Sequence, residues 1–270
     1  RAVAITLVEN DSMYVHGKKM IVTGKPGERI VRAFNNVRFY KTDMSGKCDS
    51  IHSDQKTGLT KLIKNPILWN YENQMTGDVM HLIGNNKTEK LDSLKVLNNA
   101  FIVSKDTLGT GYNQVKGQNL YGKFEDNKLR EVDIIKNTEV IYYMRNDQQE
   151  LIGINKSVSS KINMVLDKNT IETITNYNQI DGDIYPEKDL PENARKLRGF
   201  IWRGDERIKS KDDIFTAEDN EMNDKLIQEG KDEEAKDKNV PLKVRKETLD
   251  YGKKKPAVKT TTNAKSKTKK

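Results

Sequence analysis

Asn35-Asn36-Val37-Arg38-Phe39-Tyr40 is a short strand opened by two turn-forming residues. Side chains alternate along a strand, so Val37 and Phe39 share one face and Arg38 and Tyr40 the other. The phrase returns three times, as Lys64-Asn65-Pro66-Ile67-Leu68-Trp69, Asn98-Asn99-Ala100-Phe101-Ile102-Val103 and Lys136-Asn137-Thr138-Glu139-Val140-Ile141-Tyr142-Tyr143. The second residue of each copy is Asn, at 36, 65, 99 and 137, giving steps of 29, 34 and 38 residues. A lengthening period excludes a solenoid of fixed geometry but still signals one supersecondary unit being stacked.

Two further phrases recur. Asp11-Ser12-Met13-Tyr14 matches Asp49-Ser50-Ile51-His52, with weaker echoes at Asp78 and Asp92. Phe124-Glu125-Asp126-Asn127-Lys128-Leu129 aligns with Leu166-Asp167-Lys168-Asn169-Thr170-Ile171, each a strand, a polar turn and a strand. Between residues 79 and 177, strands arrive about every ten residues, the rhythm of sandwiches and barrels. Ser12–His16 and Lys19–Thr23 are expected to form a hairpin about Gly17-Lys18. The turns are short and polar, which suits antiparallel neighbours and disfavours a parallel β-helix. No helical period holds for three turns before about residue 215.

Pro186 to Pro191 ends the regular pattern, and Phe200-Ile201-Trp202 is a last apolar cluster expected to cap one end of the stack. The expected organisation is therefore a β-repeat domain over 1–185, a Pro-containing closing segment over 186–215 and a disordered, charged tail over 216–270. A single weak helix is expected over Ala217–Gln228.

The chain of 270 residues is 34% hydrophobic and 33% charged, which argues against one thick core. Its net charge of +8 invites a nucleic-acid reading. However, residues 253–270 hold eight Lys and no acid, which leaves 40 basic and 40 acidic residues in the rest. The folded body is neutral and no nucleic-acid partner is expected for it; the Lys-rich tail can contact anionic headgroups. Cys48 is the single cysteine, so no intramolecular disulfide forms, and a small buried apolar role is expected for it. No segment approaches the ~20 apolar residues of a membrane span. The start at Arg1, without a signal peptide, is expected to reflect a removed leader or a longer parent protein.

Catalytic chemistry finds no support. There is no GxGxxG, P-loop, HExxH or GxSxG, and His16, His52 and His81 lack metal-ligand spacing. No carboxylate pair stands out, so neither an enzyme, a cofactor nor a metal is expected. What the strands offer is an apolar face. Val37 and Phe39, Ile67 and Trp69, Phe101 and Val103, and Val140 and Tyr142 are expected to line one continuous interior. That interior is either a filled core or a slot for acyl chains, where burial contributes ~0.8 kcal/mol per methylene.

Three stretches carry a resemblance: residues 27–69, residues 117–143 and FIWRGDERIKSKDDIF at 200–215. Residues 1–215 resemble the OstA-like proteins of Bacteroidetes, which belong with the OstA/LptA family of lipopolysaccharide transport and organic solvent tolerance. The Asn-led strands are similar to the family's GNV phrase, with Asn35 or Lys64 where the family often has Gly. The resemblance implies an all-β, elongated antiparallel jellyroll or taco: two sheets in a V around an apolar groove. It further implies a non-catalytic periplasmic or outer-membrane-associated module that carries lipopolysaccharide through its lipid A part. Its partners would be other Lpt-type proteins or further copies, stacked end to end through edge strands, with Arg1–Val8 and Phe200–Trp202 as candidate ends. The alternative is a structural or adhesive β-repeat segment of a cell-envelope protein with a filled core and no ligand.

Overall fold

The computed structural model describes residues 1–8, 11–85, 88, 90–126, 128–167 and 170–238. These fall into two units, Arg1–Asn223 and the residues from Asp224 on. The first unit is built from fifteen strands: β1 (Ala4–Val8), β2 (Asp11–His16), β3 (Lys19–Thr23), β4 (Ile30–Lys41), β5 (Met44–Asp54), β6 (Leu59–Ile63), β7 (Ile67–Asn70), β8 (Asn73–Thr76), β9 (Val79–Asn85), β10 (Lys90–Lys105), β11 (Tyr112–Glu125), β12 (Lys128–Arg145), β13 (Leu151–Asp167), β14 (Thr170–Tyr177) and β15 (Asp181–Tyr185). Every pairing is antiparallel, as the short turns predict.

The repeated phrase is the corner of this fold. Asn35 and Asn36 both lie at positive φ (64° and 57°), as do Lys64 and Asn65, Asn98 and Asn99, and Lys136 and Asn137. A fifth pair, Asn178 and Gln179, closes the series at 56° and 48°. Two consecutive left-handed residues turn a strand out of its sheet. Asn tolerates that conformation because its short amide bonds locally, whereas a β-branched residue would clash with its own carbonyl. At four of the five corners the first residue's carbonyl accepts an amide from the neighbouring strand: Lys18 to Asn35, Asp49 to Lys64, Asp78 to Asn98 and Ser160 to Asn178, at 3.0–3.2 Å. The register slips at the same places, between Phe34 and Val37, Leu97 and Ala100, and Ile135 and Thr138.

The corners divide the strands between two facing leaves. The first leaf orders β3, the first half of β4, the second half of β5, β6, β9, the first half of β10, the second half of β11, the first half of β12, the second half of β13 and β14. The second leaf orders β1, β2, the remaining halves of β4 and β5, then β7, β8, the remaining halves of β10 to β13, and β15. Gly17-Lys18 is therefore a corner rather than the expected hairpin turn: β2 and β3 each pair with β4 and not with one another.

Each leaf turns a continuous cross-strand row inward. On the first leaf it runs Ala33, Ile51, Leu62, Met80, Val96, Leu120, Ile134, Ile162. On the second it runs Val15, Phe39, Gly46, Leu68, Met75, Ile102, Val115, Val140. All but the glycine belong to one buried apolar cluster. Gly46 is glycine because the Phe39 ring occupies its place: a Cβ there would lie 2.4 Å from Phe39 Cζ.

Residues 186–215 do not cap an end of the stack. They run along the outside of the second leaf, back from β13 towards β2, as a strap crossing the strands. Phe200 and Trp202 accordingly pack on Tyr112 of β11, with ring centroids 5.2 and 5.3 Å away. The tail also differs from expectation at its start. Helix α1 spans Ala217–Lys238, longer than the Ala217–Gln228 predicted. It opens with a reciprocal cap in which the Asp219 amide donates to Thr216 Oγ1 (3.2 Å) and the Thr216 amide donates to Asp219 Oδ2 (2.7 Å). The remaining predicted disorder, including the Lys-rich end, lies outside the described residues.

Candidate functional site

The eight residues expected to line one interior divide between two faces. Val37, Phe39 and Val140 are buried in the inner cluster, and Tyr142 packs against it half-buried. Phe101 and Val103 belong instead to a second cluster under the strap, with Ile141, Tyr143, Ile154, Leu190 and Leu197. Ile67 and Trp69 share that outer face. Ile67 pairs with Thr76, which pairs with Phe101, and Trp69 pairs with Gln74, which pairs with Val103. The reason is strand parity. The inner positions lie one and three residues after the second corner residue, so Leu68 and Ile102 point inward where Ile67, Trp69, Phe101 and Val103 cannot.

The leaves touch near the corners and part towards their tips. A Cβ on Gly117 would meet Ile134 Cγ2 at 2.5 Å, and one on Gly77 would meet Val96 Cγ1 at 2.2 Å, so this part of the interior is closed. At the tips of the N-terminal strands the interior opens into a cavity of about 810 Å³. Ala4, Met13 and Met44 of the second leaf face Val22, Val31, Leu82 and Leu91 of the first across it. Sequence reasoning missed this lining. Its signal was the alternation in β2 and β9, where Met13 and Leu82 share the parity of the buried Val15 and Met80.

Charged groups ring the mouth: Arg29, Lys41, Lys56 and Lys90 with Glu28, Asp43 and Asp54. Lys41 bridges Asp43 (2.8 Å) and Asp11 (3.6 Å), and Lys56 reaches Glu28 at 3.0 Å. Burial pushes the Asp11 carboxyl up. The backbone amides of Thr42 and Ser12 and the Lys41 ammonium outweigh it, so Asp11 sits below the usual carboxylate range. Ser53 and Thr60 place a hydroxyl pair at 2.7 Å on the same wall. An apolar slot with a charged mouth suits an amphiphile, whose chain loses water while its head stays wet.

Cys48 is buried, donates to Ser50 O at 3.3 Å and has its thiol pushed up to about 12 by desolvation, which keeps it protonated and inert. His81 is pushed down by burial and by Lys61 and Lys95 on either side of it. Among the described residues no group of His, Cys, Asp and Glu could hold a metal ion, and no helix is long and apolar enough to cross a membrane.

The outer face of the second leaf grips the strap through its backbone. The buried Gln114 donates from Nε2 to Arg195 O (2.8 Å) and accepts from the Leu197 amide at Oε1 (2.9 Å). Gln74 repeats the motif two strands away, donating to Ile201 O and accepting from the Arg203 amide, both at 2.7 Å. Each amide side chain thus bonds the strap as a neighbouring strand would.

No family model matches this chain, and no curated protein matches it. Eight chains of solved structures do. One is LptH, the LptA-homologous periplasmic component of the lipopolysaccharide transport device of Pseudomonas aeruginosa. The match has 14% identity and a TM-score of 0.40, and covers 54% of this chain and 99% of that one. It is a distant likeness of fold.

Proposed function

We propose that this chain is a non-catalytic lipid-binding module that holds the acyl part of an amphiphile between its two leaves. The observation that carries the reading is the cavity at the N-terminal tips, apolar inside and charged at its mouth. Its volume falls within the range of about 300–1,000 Å³ typical of small-molecule sites. Met13, Met44, Leu82 and Leu91 form its walls, while Val37, Phe39 and Val140 are packed in the closed interior beyond it. Each methylene that enters contributes ~0.8 kcal/mol, so a chain of about ten carbons contributes about 8 kcal/mol, against which stands the cost of association of about 4 kcal/mol or more. The resemblance of residues 1–215 to OstA-like proteins supports lipopolysaccharide as the ligand class and the periplasmic side of the outer membrane as the setting. It also supports association with Lpt-type partners or further copies through edge strands.

The alternative is a filled β-repeat of structural or adhesive type, and the closed interior beside the corners favours it. Photocrosslinking from Met13 and Leu82 decides, with Tyr121 on the outer face of the first leaf as control. Lipopolysaccharide adducts from the first two positions only are expected. A folded protein that gives none would make the chain a structural segment.

A further inference from the structure

The strap is held in two different ways along its length. Up to Arg203 it is fixed by the two glutamine clamps and by Leu190 and Leu197, both 5% exposed. Past Gly204 the character changes. Residues 204–219 bury Ile208 and Ile214, set the Phe215 ring 5.0 Å from His16 and donate from Arg207 Nη1 to Tyr71 O at 2.7 Å, and their other contacts with the leaf are mostly charged. Glu206 takes Lys47 Nζ at 3.1 Å, Asp213 O takes Arg38 Nη1 at 3.4 Å, Glu218 takes Lys18 Nζ at 3.0 Å, and Asp219 faces His16 Nε2 at 3.4 Å. Under this half, Arg38 Nε, Ser45 Oγ and Trp69 Nε1 are buried without a protein hydrogen-bond partner. The basic face and the acidic segment match in charge, yet the polar groups between them are incompletely paired. Gly204 separates the halves. A side chain there would strike the Trp202 ring at 2.5 Å, so the turn is made where no side chain stands.

We propose that residues 204–219 form an exchangeable arm, which leaves its own leaf and docks on the same basic face of a second copy. The occupant is set by the complementarity just described: two isoleucine anchors with acidic groups on either side of them, opposite Arg38, Lys47 and Lys18. A second copy presents that chemistry in full, and an exchange remakes every contact it breaks. Arg203 stays clamped to Gln74 of its own leaf while Glu206 takes Lys47 of the other copy, so the exchange brings the two outer faces together within the roughly 10 Å that three extended residues span. A short tether gives the arm an effective concentration of order millimolar at its own face, so the closed form prevails in dilute solution. Exchange becomes populated where copies are crowded.

Carbodiimide coupling of Lys47 to Glu206 reads this out on the native chain. Unlabelled and ¹⁵N-labelled protein are mixed in equal amounts at about 1 mM and at a hundredfold dilution, then coupled. The coupled 47/206 peptide pair is analysed by mass. The pair Lys123–Glu131, at 2.8 Å within the β11–β12 hairpin, serves as the internal control. The expected result is mixed-label 47/206 pairs at high concentration, falling on dilution, with 123/131 pairs always of one label. Single-label 47/206 pairs at both concentrations would overturn the proposal. Mixed labels in both pairs would also overturn it, since they would report association of whole sheets rather than exchange of the arm.

Discussion

Replacing Gln114 with Leu tests whether the strap is bound as a strand or merely covers apolar surface. Leu is close to Gln in size and suits the neighbouring Val103 and Ile141, so a strap held by hydrophobic contact alone would be indifferent. The structure argues otherwise. The change strips the partners from Arg195 O and from the buried Leu197 amide. Each group left unpaired in a buried site costs about 1–3 kcal/mol, so the pair costs about 2–6. Against this, Leu190 and Leu197 hold the strap by about 1.5–3 kcal/mol each. Penalty and hold are of the same size. The cheaper response is for residues 190–199 to peel away and hydrate their backbone, leaving the Gln74 clamp and the sheet ladders intact.

Amide exchange and limited trypsin digestion distinguish the responses. The Leu197 amide should exchange at least about thirtyfold faster in Gln114→Leu, the factor that corresponds to about 2 kcal/mol. Cleavage after Arg195, Lys196 and Arg198 should accelerate with it. Amides of the inner rows, such as Leu120 and Ile134, should keep their protection, because opening is local. Unchanged exchange at Leu197 would refute the clamp. A uniform loss of protection across both leaves would refute the separation of strap from sheets.

Two further outcomes are expected. Gly46→Ala should destabilise by about 1–3 kcal/mol in urea titration, because its Cβ would sit 2.4 Å from the immobile Phe39 ring and 2.6 Å from Ile67 O, whereas Gly84→Ala, with nothing nearer than 3.6 Å, should cost little. Glu206 is held down from its ordinary 4.5 to about 2, chiefly by its hydrogen bond to Arg203 and further by Lys47; a depressed carboxylate contributes stability that is full above 4.5 and disappears as pH falls towards 2, so the arm should loosen on acidification within that window, as exchange at residues 204–215 would show, and Glu206→Gln should reduce the dependence to the part carried by Asp213 and Asp219, whose carboxyls burial pushes up but hydrogen bonds hold down.

How much of this was legible depends on what each signal measures. The Asn phrase was readable because a pair of left-handed residues has few acceptable side chains, and it recurs wherever a strand must turn between leaves. Its fifth member escaped because Gln179 replaces Asn and the strand after it, β15, is short and polar. The facing of the strands failed for a different reason. The sequence reading followed the bulkiest apolar residues, which in Ile67-Leu68-Trp69 and Ala100-Phe101-Ile102-Val103 lie on both faces. Those strand segments are buried throughout, and a strand covered on both sides reads as a continuous apolar run with no preferred phase. Counting from the corner fixes the phase: Val37 and Phe39, Leu68, Ala100 and Ile102, and Val140 lie one or three residues past the second corner residue, and all face inward. The same runs held a second message. Apolar surface on the outside of a leaf needs a cover, and Phe200 to Trp202 were the apolar residues still unplaced. A cluster that seemed to close the end of a stack belonged on its side, because the side, not the end, carried the unmatched apolar surface.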